Sequence, residues 1–352
     1  MAENGPKSGA VAVAAFHARG VTCESMQTRT LDRSGLSVTE IGLGLAAIGR
    51  PGYINLGRDR DLGSDRSVVV LRRQAHDLLD AAYAGGIRYF DAARSYGLAE
   101  EFLASWLERR RLGPGQVTVG SKWGYRYTAD WRVGAEVNEV KEHSLANLQR
   151  QLAESRALLG DRLGLYQIHS ATFESGVLED RAVLDELTRQ REGGLAIGLT
   201  VSGPHQADVV RRAIEIRADE SPLFATVQAT WNLLEPSVGP ALAEAKEAGL
   251  GVVVKEALAN GRLAPRPAEG SPRPLALVSQ SHEWTNDAVA IAAALAQPWS
   301  DVVLSGAVTP AQVVSNLAAT DLALSPDDLA ELAVLAEPPE RYWATRASLP
   351  WT

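Results

Sequence analysis

Three apolar runs of this chain end on, or just before, an ionisable side chain. "RYFDA" (88–92) carries Asp91, "VTVGSKW" (117–123) carries Lys122 and "GLYQIHS" (164–170) carries His169. Tyr96 follows Asp91 by five residues in "DAARSYG". A carboxylate and an ammonium on neighbouring runs can pair, which offsets much of the cost of burying either. A tyrosine beside that lysine would feel a positive charge favouring its phenolate, so its pKa is expected to fall. Such a group can give or take a proton near neutral pH. Singly, each residue has a structural explanation: an aspartate capping a turn, a solvated lysine, a histidine satisfied in the core. The chemistry needs all of them at one place.

The elements that would bring them together repeat along the chain. From Met26 onward short β-branched or apolar runs alternate with longer amphipathic segments, after an expected hairpin "QTRTLDRSGLSVTEIG" that turns at Ser34-Gly35. Eight runs read as strands, at 41–46, 88–92, 117–123, 164–170, 196–202, 225–231, 251–257 and 301–307. They are too apolar to face water on either side. Eight β-then-α units of this kind predict an α/β fold, a closed (β/α)8 TIM barrel with an N-terminal β-hairpin and a C-terminal tail, 325–352. The rival is an open doubly wound sheet, whose dinucleotide-binding form needs Gly-x-Gly-x-x-Gly. "GLGLAAIG" runs one residue too far for that spacing and reads as small core residues inside a strand. In a barrel, chemistry lies at the carboxyl ends of the strands. That rim collects Asp91, Lys122 and His169, then Ser202, Gln228, Lys255 and Glu256.

Composition bounds the partners. The chain has 352 residues, 45% of them hydrophobic and 22% charged, with a net charge of −8 and one cysteine, Cys23. No basic cluster suggests nucleic acid, and no stretch reaches the ~18–20 apolar residues of a membrane helix. One cysteine excludes an intramolecular disulfide and fits a cytoplasmic protein. Residues 1–25, "MAENGPKSGAVAVAAFHARGVTCES", show no steady periodicity and are expected to be a disordered extension before a single barrel domain, 26–352. No metal-ligand pattern is present, and nothing indicates an oligomeric state.

With these residues in place, the chain resembles the aldo-keto reductase superfamily. "GGIRYFDAARSYGLAEEFLASWL" is similar to the family's Phe-Asp-Thr-Ala-x-x-Tyr-Gly segment, with Ala92 where threonine is usual. "VGSKWG" and "LYQIHS" resemble the strands bearing its lysine and histidine, "VQATWNLLEP" a strand-six segment, and "VVLSGAVTPAQVVSNLAA" its last cofactor-binding unit. The resemblance implies an NAD(P)-dependent oxidoreductase interconverting an aldehyde or ketone, or a sugar, with its alcohol by hydride transfer. Its tetrad would be Asp91, Tyr96, Lys122 and His169, with Tyr96 as general acid and base. The alternative is a non-catalytic, cofactor-binding regulatory subunit of the kind associated with potassium channels. An aldolase using Lys122 as a Schiff base conflicts with the lysine's pairing to Asp91.

The resemblance also implies a cofactor site. Ser202 and Gln228 would meet the nicotinamide carboxamide, Gln312 and Asn316 the adenine end, and Ser305 and Gly306, with Ala307, a phosphate at the free N–H groups before the last helix. NADPH is the expected cofactor, with NADH the alternative, because Gly306 and Gln312 stand where many relatives hold a cation for the 2′-phosphate. Lys255 stands where many relatives carry an aromatic or small polar residue, and either replaces that cation or pairs with Glu256. Of the aromatics near the rim (Tyr125, Tyr127, Trp131, Trp231), Trp131 and Trp231 are expected to contact a small carbonyl or sugar substrate. The polar insert "RPGYINLGRDRDLGSD" is expected to be a mobile flap over the site. For Tyr342, Trp343 and Trp351 in the tail, substrate contact and helix packing are both open.

Overall fold

The computed structural model describes residues 26–218, 220–265, 270 and 272–352. The expected extension, 1–25, lies outside the described residues. Eight parallel strands close into a barrel: β1 (Ile41–Gly44), β2 (Tyr89–Asp91), β3 (Thr118–Trp123), β4 (Leu163–Ala171), β5 (Ala196–Val201), β6 (Thr226–Thr230), β7 (Gly251–Lys255) and β8 (Val302–Ser305). Each strand pairs with its sequence neighbours, and β8 returns to β1 with Val303 opposite Ile41. The expected strands are all present, one or two residues shorter at most ends.

The hairpin is also present, Thr28–Thr30 against Ser37–Thr39, but its turn is longer than a Ser-Gly pair. A short 3-10 turn, Asp32–Ser34, ends at Gly35 in the left-handed region at φ 67°. The hairpin closes the amino-terminal mouth of the barrel, where Leu31 and Val38 pack on Tyr89, Leu165, Val253 and Val302. Burying a leucine of this kind contributes about 1.5–3 kcal/mol.

Helices form the outer layer, started by side-chain caps: Ser67 accepts from Val70 N, Ser144 from Asn147 N, Asp180 from Ala182 N and Val183 N. These caps satisfy N–H groups that the first helical turn leaves without partners. The helix Val68–Ala84 stops at Gly85-Gly86, and that turn delivers the chain into β2 and hence Asp91.

Within the barrel, side chains alternate inward and outward along each strand. Tyr89 and Asp91 point inward while Phe90 packs outward on Trp106, ring centroids 5.2 Å apart. The Tyr89 ring spans the interior because two neighbours have no side chain. A Cβ on Gly42 would stand 2.8 Å from Tyr89 Cδ1, and one on Gly120 would stand 2.8 Å from Tyr89 Oη. The reading of Gly42 as a small core residue therefore holds. Among the described residues no helix is long and apolar enough to cross a membrane.

Candidate active site

A cavity of about 600 Å³ opens at the carboxyl ends of the strands. Asp91, Tyr96 and His169 line one end, together with Ser202 and Gln228; Ser305, Gly306, Gln312 and Asn316 line the other. Lys122 lies directly beneath, 1% exposed. The four tetrad residues and all six expected cofactor residues are thus gathered on or under one surface.

Asp91 is the hub. Its Oδ1 takes the Lys122 ammonium, whose Nζ also donates to Ala92 O at 2.9 Å. Its Oδ2 accepts from Tyr89 Oη at 3.0 Å, Gln228 Nε2 at 3.1 Å and Gln167 Nε2 at 3.3 Å. Gln228 therefore faces the cavity and also supports the carboxylate. Tyr89 and Gln167 were missed from sequence, yet strand parity marks them: each lies two residues before an inward-pointing site residue.

The loop after β2 sets Tyr96. Ala92 N donates to Gly120 O at 2.8 Å and Arg94 N to Lys122 O at 3.1 Å, tying the loop to β3. Arg94 then pairs with buried Glu100 at 2.6 Å, which fastens the loop to the helix that follows. The Tyr96 hydroxyl lies 3.5 Å from His169 Nε2, and Ser95 Oγ lies 3.4 Å from Nδ1. Lys122 Nζ stands 5.0 Å from the centre of the Tyr96 ring.

The expected lowering of the Tyr96 pKa is overturned. Burial raises it well above 10, and the Asp91 carboxylate raises it further; Arg50 acts in the opposite direction. The lysine that was to stabilise the phenolate is itself paired with Asp91, so the field reaching the hydroxyl is not that of a bare cation. Tyr96 is a neutral phenol here. His169 is neutral too: burial, then the charges of Lys122, Arg50 and Lys255, hold its pKa well below 6.5.

Arg50 is the residue the sequence signalled least. It is 2% exposed, pairs with Glu139 at 2.8 Å and donates to Ser95 O at 3.1 Å. Its guanidinium lies 5.2 Å from the Tyr96 ring, 4.9 Å from Tyr53 and 4.8 Å from Trp351. Such cation–π contacts hold a buried guanidinium in place. Nothing in "AIGRPG" distinguishes this arginine from a surface one.

Lys255 lines the cavity with its pKa lowered by burial to about 8, and bonds Thr230 Oγ1 at 2.6 Å. Glu256 is 3.9 Å from it but is held mainly by Arg346 of the last helix, at 2.5 and 2.7 Å. Of the two readings of Lys255, pairing with Glu256 is present as the weaker of that carboxylate's two contacts.

Several expectations fail for identifiable reasons. Trp131 and Trp231 do not line the cavity. Trp231 packs outward on Trp299, centroids 5.8 Å apart, because it stands three residues after inward-facing Gln228 and so on the opposite face of the strand. Trp131 lies edge-on to Phe102 and donates Nε1 to Arg66 O at 2.8 Å. Tyr125, Tyr53 and Trp351 take the lining positions instead. The insert after β1 does cover the cavity, but it is fastened rather than loose. Arg58 is buried and spends its guanidinium on the carbonyls of Ala47, Arg50, Pro51 and Thr352. Tyr53 and Thr352 exchange two backbone hydrogen bonds, at 3.0 and 3.1 Å.

The tail divides between the two open readings. Tyr342 and Trp343 pack in the core, the Tyr342 hydroxyl accepting from Asn232 Nδ2 at 2.9 Å, whereas Trp351 reaches the cavity. Before the helix Pro310–Leu317, Ala307 N and Val308 N are taken by Ser305 Oγ and Gln312 Oε1, so these two N–H groups are not free for phosphate.

A pH effect follows from His143, whose Nε2–H donates to His169 O, 2.9 Å away. Burial depresses its pKa from 6.5 to about 4. A depressed folded-state pKa means that the stability it contributes is present above about 6.5 and is lost as pH falls through 4. The melting temperature is expected to drop across pH 6.5–4, and His143→Gln to flatten that drop. An equally steep profile in the variant would remove His143 as the cause.

Comparison with known proteins finds relatives of one family. A model of the aldo/keto reductase family matches residues 41–337. Pyridoxal 4-dehydrogenase of Microbacterium luteolum is 26% identical over 278 residues, covering 70% of this chain and 75% of that protein. D-threo-aldose 1-dehydrogenase of a Pseudomonas species is 26% identical over 334 residues, covering 85% and 94%. An aldo-keto reductase of Bacillus halodurans, solved in its holo form, superposes with a TM-score of 0.67 at 25% identity, covering 89% of this chain and 97% of that one.

Proposed function

The chain belongs to the aldo/keto reductase family, an enzyme family of NAD(P)-dependent oxidoreductases, and we propose that it interconverts a small polar carbonyl compound and its alcohol, with Tyr96 moving the proton. The observation that carries this reading is the single cavity joining Tyr96, His169 and Asp91 to Ser305, Gln312 and Asn316.

The cavity fits a nicotinamide dinucleotide in size and in polarity. Its volume is within the ~300–1,000 Å³ usual for small-molecule and cofactor sites. Two buried acceptors, Asp287 Oδ1 and Asn260 Oδ1, have no hydrogen-bond partner among the described residues, and both residues line the cavity. Unpaired buried acceptors are costly and call for donors; the amine and hydroxyls of an adenosine supply them. Ser202 and Gln228 would hold the nicotinamide end, Ser305, Gly306, Gln312 and Asn316 the adenosine end. When bound, the dinucleotide supplies or accepts the hydride.

The protein's part is proton transfer, orientation and exclusion of water. In reduction, Tyr96 Oη gives its proton to the carbonyl oxygen as negative charge develops there. In oxidation the alcohol's proton would return to the Tyr96 phenolate, the form that burial and Asp91 make scarce at neutral pH, so the arrangement favours reduction. The high pKa of Tyr96 keeps the phenol in the donor form across neutral pH. Neutral His169, beside the same hydroxyl, holds the substrate oxygen in reach. Asp91 and Lys122 keep the loop carrying Tyr96 at its distance from β3.

For the substrate, Tyr53, Tyr125 and Trp351 offer ring faces, and Arg50–Glu139 and Lys255 offer hydrogen bonds. Aromatic faces with flanking polar groups suit a hydroxyl-rich ring. Two similar proteins carry names of the same kind, one acting on pyridoxal and one on a D-threo-aldose. Measuring NAD(P)H oxidation with aldehydes and ketones, and NAD(P)⁺ reduction with aldoses, tests the proposal. Turnover is expected, faster with hydroxyl-rich compounds than with alkyl ones of equal length. Dinucleotide binding with no turnover on any compound would favour the regulatory alternative.

A further inference from the structure

The lobe of the cavity lined by Ser305, Gln312 and Asn316 holds two carboxylates, and its polar groups form two short chains. In one, Asp61 Oδ2 accepts from Gln312 Nε2 at 2.7 Å, while Gln312 Oε1 accepts from Val308 N at 2.9 Å. In the other, Asp287 Oδ2 accepts from Asn316 Nδ2 at 2.8 Å, and Asn316 Oδ1 accepts from Ser305 Oγ at 2.7 Å. Asp287 is 4% exposed, and its second oxygen, Oδ1, is a buried acceptor without a partner among the described residues. Both carboxylates line the cavity.

Among the described residues two cations line this lobe, Arg58 and Arg60. Arg58 is committed to backbone carbonyls and buried, with its pKa lowered to about 9. Arg60 lines the cavity on the exposed face of the insert, its Nη2 folded back to within 3.3 Å of where a Cβ on Gly57 would stand. At the start of the helix Pro310–Leu317 the lining residues Gly306, Val308 and Gln312 are uncharged.

We propose that Asp61 and Asp287 make this lobe selective for a dinucleotide with a free 2′-hydroxyl, NAD rather than the NADPH expected from sequence. The proposal rests on the dinucleotide reading above. A ribose hydroxyl can donate to a carboxylate oxygen, and carboxylates read that hydroxyl in other nicotinamide-binding sites. A 2′-phosphate cannot donate when ionised and would add negative charge beside two carboxylates. Asp61 is exposed, so part of that repulsion is screened, and the selectivity is expected to be tens-fold rather than thousands-fold.

Binding, not turnover, is the test. Titrate the full chain with NAD⁺ and NADP⁺ by calorimetry or tryptophan fluorescence, at low and high salt. NAD⁺ is expected to bind about tenfold or more tighter, with the gap shrinking as salt screens the carboxylates. Asp61→Asn keeps a polar partner for Gln312 and is expected to close much of the gap by tightening NADP⁺. Equal or tighter NADP⁺ binding to the unaltered protein would overturn the proposal. So would an unchanged ratio in Asp61→Asn, or a selective loss of NADP⁺ binding in Arg60→Ala, which would make Arg60 a phosphate grip. If neither dinucleotide binds, the dinucleotide reading falls together with the proposal; tight NADP⁺ binding removes the proposal alone.

Discussion

Tyr96→Phe is expected to lower turnover by about 10²–10⁴-fold, the usual contribution of a positioned proton donor, while leaving dinucleotide affinity nearly unchanged. The substitution removes one oxygen and keeps the ring. Contacts of that ring with Arg50, at 5.2 Å, and with Lys122, at 5.0 Å, should persist. Loss of turnover without loss of binding is the mark of an interaction made at the reacting atoms. Equal loss of both would make Tyr96 structural.

The same variant tests the protonation state. A phenol held well above 10 by burial and by Asp91 contributes nothing to the phenolate absorbance that ordinary tyrosines gain near pH 10. The difference titration between the native protein and Tyr96→Phe should therefore be flat through that region. A component titrating below 10 would restore the lysine-tuned phenolate that the residue types suggest.

The second large effect concerns stability and is asymmetric. Asp91→Leu leaves the Lys122 ammonium buried, with the Ala92 carbonyl as its hydrogen-bond partner among the described residues. Removing one member of a buried pair typically costs about 3–5 kcal/mol, because the other charge is left uncompensated. Lys122→Met is expected to cost less. It leaves a carboxylate that still accepts from Tyr89, Gln167 and Gln228, and hydrogen bonds of that kind stabilise an ionised acceptor. Urea unfolding of both variants measures the difference, and the double variant should recover part of the Asp91→Leu loss. Equal costs, or a greater cost for Lys122→Met, would mean that the three neutral donors contribute little.

How far the sequence reaches can be seen residue by residue. Asp91, Lys122 and His169 were legible because a parallel barrel puts every strand's carboxyl end on one rim, so residues far apart in the chain share a place once the strands are counted. Alternation along each strand carried more than was read from it. It marks Tyr89 and Gln167 as inward neighbours of the site, and it excludes Trp231. Trp131 had no such guide, since it sits in a loop at φ 59°.

What the sequence by itself determined is the order of β and α units and which ionisable groups stand at the barrel rim, because both depend on local periodicity and residue type. What only the tertiary structure decided depends on the surroundings of a group rather than on its type. Burial reversed the expected direction of the Tyr96 pKa. Arg58 turned an expected flap into a fastened cover, and the folded chain brought Asp61 to Gln312 across 251 residues. Desolvation and long-range charge contact have no signal in local spacing; they appear when distant segments meet around one cavity.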